Sequence, residues 1–190
     1  FEITVKYAVS ALKTRHYKEA YKSLLIARSM RDDVFEVNHH LGYLEYARKN
    51  YEKAVGLLQQ AWEEQPDHPE TLKYLGMGYY RIKRYDQATR ALRKLLELQP
   101  DDKEALFALG RSYYELNQQD RAVQILSHLR ADPEVGPNAA LYAGTIHVNQ
   151  KRFDDAAMDF EIGLRHETIK EELKLELMYR LATAYIQMKK

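Results

Sequence analysis

The stretch 69–102, PETLKYLGMGYYRIKRYDQATRALRKLLELQPDD, decides the fold. Leu72, Leu75, Tyr79 and Ile82 stand three to four residues apart, the spacing of one helical face. Tyr85, Ala88, Leu92, Leu95 and Leu96 mark a second such face, and Arg81-Ile82-Lys83-Arg84 supplies the polar end and turn between them. Two helices joined by so short a turn lie antiparallel. Where their backbones cross closely only a small residue fits, so Gly76 is expected to face Ala88. Pro100 cannot continue a helix interior and separates this pair from the next helix. Asp102 then stands where a carboxylate accepts the orphan N–H groups of that helix, and Asp33 is expected to do the same earlier in the chain.

The pattern recurs in both directions. Gly42, Gly76, Gly110 and Gly144 follow one another every 34 residues, with Ala8 holding the place first, and Ala20, Ala54, Ala88, Ala122 and Ala156 keep the same interval. Tyr17, Tyr51, Tyr85, Gln119 and Phe153 form a third series, and Leu24, Leu58, Leu92, Leu126 and Phe160 a fourth; Pro66 and Pro100 close two of the repeats. The repeats are 1–34, 35–68, 69–102, 103–136 and 137–170, with part of a sixth at 171–190. A fixed period of this size means one supersecondary unit stacked on itself, each copy needing its neighbours to bury its apolar face. Jointly these signposts resemble the tetratricopeptide repeat, across nearly the whole chain. The resemblance implies an all-α fold, a right-handed superhelix of antiparallel helix pairs forming a single array.

Two places depart from the pattern. Arg130-Ala131-Asp132-Pro133-Glu134-Val135-Gly136-Pro137 displaces the proline that should close the fourth repeat, and Leu129 stands where a small residue is expected, so the helix before it should stop early. The phase then slips by four residues, because Leu181-Ala182 and Tyr185 read as places seven, eight and eleven of a sixth repeat. The segment His166–Leu173 therefore lengthens a helix or a loop.

Composition narrows the function. The 190 residues hold 29 Lys and Arg against 28 Asp and Glu, a formal net charge of +1, which is too balanced for a nucleic-acid-binding stripe despite Arg81, Lys83, Arg84, Arg90, Arg93 and Lys94. The chain has no cysteine, hence no disulfide, thiolate metal site or thiol nucleophile. No run of about 18 apolar residues exists to span a membrane. Neither composition nor motif assigns a compartment. The chain starts at Phe1 and stops part-way through a repeat, so it reads as a segment of a longer protein.

Catalytic and metal constellations are not evident. None of the seven histidines forms a His-x-x-x-His pair, and adjacent His39 and His40 point about 100° apart on a helix, which suits a surface or groove lining better than one metal ion. Asp101-Asp102 and Asp154-Asp155 fall where a helix N-terminus favours negative charge. There is no Gly-x-Gly-x-x-Gly and no phosphate loop. The expectation is no enzyme, no cofactor and no metal.

The resemblance also implies a binding surface. In the tetratricopeptide family the first helix of each repeat lines a concave groove. Carried over, the groove places hold His39, His40, Tyr43 and Tyr46, then Lys73, Tyr74, Met77, Tyr80 and Arg81, then Phe107, Arg111 and Tyr114, and lastly Tyr142. Tyrosine offers apolar area and a hydroxyl with few rotors to freeze, so such a face suits a peptide segment or helix of a partner protein. The tyrosines equally suit packing between helices. The clamp by which some co-chaperones of this family hold a chaperone's terminal carboxylate is missing: read from the first repeat, its places hold Val5, Val9, His40, Glu70 and Tyr74. The expected role is a protein-interaction scaffold. The alternatives are an arm that regulates or presents substrate to an enzyme lying outside the segment, and a module that self-associates through its ends, where Leu177, Leu181 and Tyr185 seek cover.

Overall fold

The structure, a computed structural model, describes residues 1–189. Among them lie eleven helices and no strand. The chain divides into two compact units, Phe1–Pro100 and a second beginning at Asp101, and the division falls at the end of the third repeat.

The first unit holds three helix pairs. They are α1 (Glu2–Lys13) with α2 (Tyr17–Met30), α3 (Phe35–Ala47) with α4 (Tyr51–Glu64), and α5 (Pro69–Arg81) with α6 (Tyr85–Leu98). Within the unit, α2 and α4 also pack onto the first helix of the next pair, and α3 meets α5 directly. The core follows the period read from sequence: Ala8, Leu24, Ala27, Val37 and Leu41 are buried together, and further along Ala54, Leu58, Leu72, Leu75, Ala88 and Leu92 are buried in turn.

The second unit holds α7 (Lys103–Glu115) with α8 (Gln119–Leu129), α9 (Gly136–Asn149) with α10 (Phe153–Leu164), and the single helix α11 (Glu171–Met188). As predicted, α8 stops early, at 11 residues where α2, α4 and α6 have 14. Residues 165–170 form a loop, and α11 runs to 18 residues where α3, α5 and α7 have 13, so the inserted segment lengthens a helix as well as the loop before it. Leu177 and Ala184 of α11 pack with Phe160 of α10, while Leu175, Met178, Tyr179 and Ile186 are exposed.

The repeated glycine does what a missing side chain allows, but against a different neighbour than the sequence suggests. A β-carbon on Gly76 would lie 2.8 Å from the side chain of Leu92, not against Ala88. Gly42 meets Leu58 and Gly110 meets Leu126 the same way, at 2.6 and 2.9 Å, and Gly144 meets Phe160. The leucine series therefore presses into the notch that the glycine series leaves, one turn beyond the alanine.

Asp102 accepts the backbone N–H of Ala105 at 3.0 Å and so caps α7 as predicted. Asp33 does not cap. Val34 holds the cap place of α3, and Asp33 instead lies 3.7 Å from Arg31. His68 takes the capping role for α5, accepting from Thr71 N–H at 3.2 Å, with Pro69 as the first helical residue, where a missing N–H costs nothing.

A further periodicity shows only in the backbone. Arg15, Lys49, Lys83, Asn117 and Lys151, again 34 apart, all have φ between 57° and 65°. Each sits just past the end of a first helix, and the bonds Lys83 N–H to Tyr80 O and Arg84 N–H to Tyr79 O close that end. This is the left-handed C-cap that glycine usually occupies. Four cations stand there instead, where they face the negative end of the helix dipole.

Candidate functional site

Within the units the first helices α3 and α5, α7 and α9, and α9 and α11 meet directly, and the second helices pack chiefly onto first helices. In the first unit the predicted groove residues build an aromatic ladder. Tyr43 and Tyr74 have ring centroids 5.0 Å apart, Tyr74 and Tyr46 5.3 Å, and Tyr46 and Tyr51 5.3 Å in edge contact. Tyr80 lies 6.1 Å from Tyr85. Tyr43, Tyr46, Tyr74 and Tyr80 are all half-buried, as is Lys73, and Arg81 is exposed. The rings thus pack on one another and still present an edge.

Two of the predicted residues are not on this surface. Met77 is 6% exposed and belongs to the core. His39 is 4% exposed. It stacks on Phe35 at 5.4 Å and meets the edges of His40 and His68 at 5.0 and 4.8 Å. The Thr71 hydroxyl lies 2.8 Å from His39 Nδ1 and 2.9 Å from His68 Nδ1, tying α3 to the start of α5. Burial, with His40 and His68 adding to it, pushes His39 down to about 3. It is therefore neutral at pH 7, and its 3.4 Å approach to Glu70 is not an ion pair there. Burial lowers half-buried His40 as well. The histidines that read as groove lining form a packed junction.

In the second unit Arg111 lies over the ring of Tyr142, 3.8 Å from its centroid, and reaches Glu115 at 3.3 Å. Tyr114 and Phe107 meet Tyr142 at 5.3 and 6.4 Å. These four predicted residues gather in one cluster, each half-buried.

Each unit also hides one carboxylate. Glu45 accepts the Tyr21 hydroxyl at 2.7 Å and Asn50 Nδ2 at 2.6 Å. Burial pushes its carboxyl up, but those two bonds and the charges of Lys53 and Arg48 outweigh burial and hold it below the usual range. Asp159, fully buried, is paired to Arg130 and lies 2.8 Å from His147 Nδ1. There burial wins over both partners and raises the carboxyl. Sequence reasoning misses both acids, although each stands at a place that is apolar in three other repeats: Glu45 aligns with Ala11, Tyr79 and Tyr113, and Asp159 with Leu57, Ala91 and Ile125, while His147 and Ser23 are the other polar residues at these two places.

Among the described residues no three His, Asp or Glu gather as a metal cluster, and no helix is long and apolar enough to cross a membrane. The tetratricopeptide-repeat family model matches residues 45–92 and 80–134. A search of curated proteins finds no match. Solved structures do match. YrrB, described as a TPR protein with an unusual peptide-binding site, aligns with TM-score 0.82 at 15% identity, over 93% of this chain and 90% of its own. MamA AMB-1 aligns with TM-score 0.77 at 22% identity, over 91% and 95%. MamA from Desulfovibrio magneticus RS-1 aligns with TM-score 0.73 at 19% identity, over 90% and 96%. At such identities the likeness is one of fold.

Proposed function

Because this chain belongs to the tetratricopeptide-repeat family, we propose that it is a protein-interaction scaffold, holding a segment or helix of a partner against the tyrosine faces of its first helices. The observation that carries the reading is the half-buried ladder Tyr43–Tyr74–Tyr46, which offers aromatic edges already fixed by mutual packing and so freezes little entropy on binding. Lys73 and Arg81 beside the ladder, and the Arg111–Tyr142 stack in the second unit, supply polar contacts to the same kind of ligand. YrrB, of like fold, carries a peptide-binding site. The ligand is assigned to protein rather than nucleic acid because charge is balanced over the chain. The role requires no reaction, cofactor or metal.

The test is crosslinked capture from the native cell by the wild-type chain and by a folded Tyr46→Ala, Tyr80→Ala, Tyr114→Ala variant. A protein enriched by the first and lost from the second supports the reading. Equal capture by both moves the interface elsewhere.

A second reading rests on the exposed apolar residues of the end helices, Ile3 and Tyr7 on α1 and Leu175, Met178, Tyr179 and Ile186 on α11. Self-association through these helices would cover them. A mass in solution that rises with concentration and falls on Tyr179→Glu is the expected outcome; a constant monomer mass removes the reading.

A further inference from the structure

The junction between α2 and α3 is open where the next one along is closed, and one position explains the difference. Between α4 and α5, Gly78 has no side chain, and a β-carbon there would lie 2.8 Å from Val55. The corresponding place on α3 is Leu44, and the place facing it on α2 is Tyr21, where α4 has Val55. Two large side chains cannot close to the distance that glycine and valine allow. The result is a cleft of about 320 Å³, walled by Tyr17, Tyr21 and Tyr43, floored by Leu44, and rimmed by Lys18 and Arg48.

Its chemistry is aromatic within and cationic at the edge. The Tyr21 ring is fixed from both ends, its hydroxyl donated to Glu45 and its face covered by Arg48 at 4.3 Å. Among the described residues no acid lines the cleft, and the oxygens of Glu45, behind Tyr21, are already engaged by Tyr21 and Asn50. Lys18 makes no ion pair among the described residues, and Arg48 lies over Tyr21 and acts on Glu45 only through its charge, without a direct ion pair. Both are exposed at the rim, so their positive charge is available to a ligand. Tyr43, which walls the cleft, is also the first rung of the ladder with Tyr74, so a segment lying on that ladder runs into the cleft.

We propose that this cleft seats an acidic residue beside an aromatic one in the partner segment, the ring between Tyr17, Tyr43 and Leu44 and the carboxylate at Lys18 and Arg48. The assignment rests on the scaffold reading and adds a chemical specificity to it. Arg48 offers a carboxylate two parallel N–H donors while its face remains on Tyr21, and Lys18 adds a second positive charge at the same rim.

The experiment measures binding of short fluorescent peptide pools that share randomised flanks and differ in a central pair, Glu-Phe, Gln-Phe or Lys-Phe. The wild-type chain is expected to take the Glu-Phe pool about tenfold more tightly than the Gln-Phe pool, the value of one charge-assisted contact. Lys18→Gln with Arg48→Gln, both at exposed positions, should erase that preference while the helical content of the chain stays unchanged. Ala47→Trp, at the cleft wall, should weaken the Glu-Phe and Gln-Phe pools alike. Equal binding of the three pools, or an acid preference that survives the double substitution, overturns the cleft; if such binding is still lost in Tyr46→Ala with Tyr80→Ala, the scaffold reading stands. No binding of any pool to any form overturns both.

Discussion

The two units solve one packing problem differently. In Phe1–Pro100 the repeat is regular: α2, α4 and α6 have equal length, and the buried acid Glu45 is met by neutral donors. In the second unit α8 is cut short, and the loop before α9 must be held by other means. His166 Nε2 lies 2.7 Å from the Arg130 carbonyl oxygen, while the Arg130 side chain reaches down to Asp159. The lesson is that a broken period is compensated by a specific polar network. Apolar packing tolerates approximate shapes, but Arg130, Asp159 and His147 are bound in one geometry, because an unpaired buried charge costs far more than a poorly packed methyl.

The largest expected effect tests that contrast. Asp159→Leu should destabilise the chain by about 3 kcal/mol, since it strands Arg130 and His147, whereas Glu45→Gln, which keeps an acceptor for Tyr21, should cost about 1 kcal/mol. Urea unfolding would read both, and equal losses would erase the distinction between the units. Next come the glycine notches, which the units share. Gly76→Leu and Gly110→Leu should each cost about 1–3 kcal/mol by overpacking. Gly56, with nothing within 4 Å of its missing β-carbon, should instead gain about 1 kcal/mol on change to Ala.

The acid response should belong to the first unit. His39 is held at about 3 in the folded chain against about 6.5 unfolded, so its neutral packing contributes fully above pH 6.5. As pH falls from 6.5 towards 3, the unfolded state binds the proton first and stability is lost. His39→Phe should flatten the fall in urea midpoint between pH 7 and 4.5; an unchanged slope would place the acid sensitivity elsewhere. The smallest effect separates two aspartates that look alike in sequence. Asp102→Ala should cost about 1 kcal/mol as a lost cap, and Asp33→Ala less than about 0.5 kcal/mol, as thermal melting can show.

Much of this architecture is legible in the sequence because period and packing are the same thing in a stacked repeat. Gly76, Ala88 and Leu92 each declare a buried place simply by recurring. The period does not say which place meets which: Gly76 lies against Leu92 because the helices cross one turn later than the alanine series suggests. The basic residues at 15, 49, 83 and 151 escape notice because left-handed backbone is ordinarily read from glycine or asparagine, and only Asn117 carries that signal. At the candidate site the tyrosines stand where helical spacing puts them, and His39 does not. Spacing tells which side of α3 His39 occupies, but not that Phe35, His68 and Thr71 close over it. Glu45 and Asp159 show the same limit from the other side, since a charged residue at a repeat's core place is invisible until its partners, 24 and 29 residues away, are seen beside it.

The central claim is that a partner lies on the first-helix faces. A photocrosslinking amino acid placed singly at Tyr80 or Tyr114, and for contrast at the second-helix positions Arg93 and Gln124, tests it in the native cell. The account predicts a crosslinked partner from Tyr80 and Tyr114 and none from Arg93 and Gln124. A partner caught at Arg93 or Gln124 and absent from both tyrosine positions would contradict it.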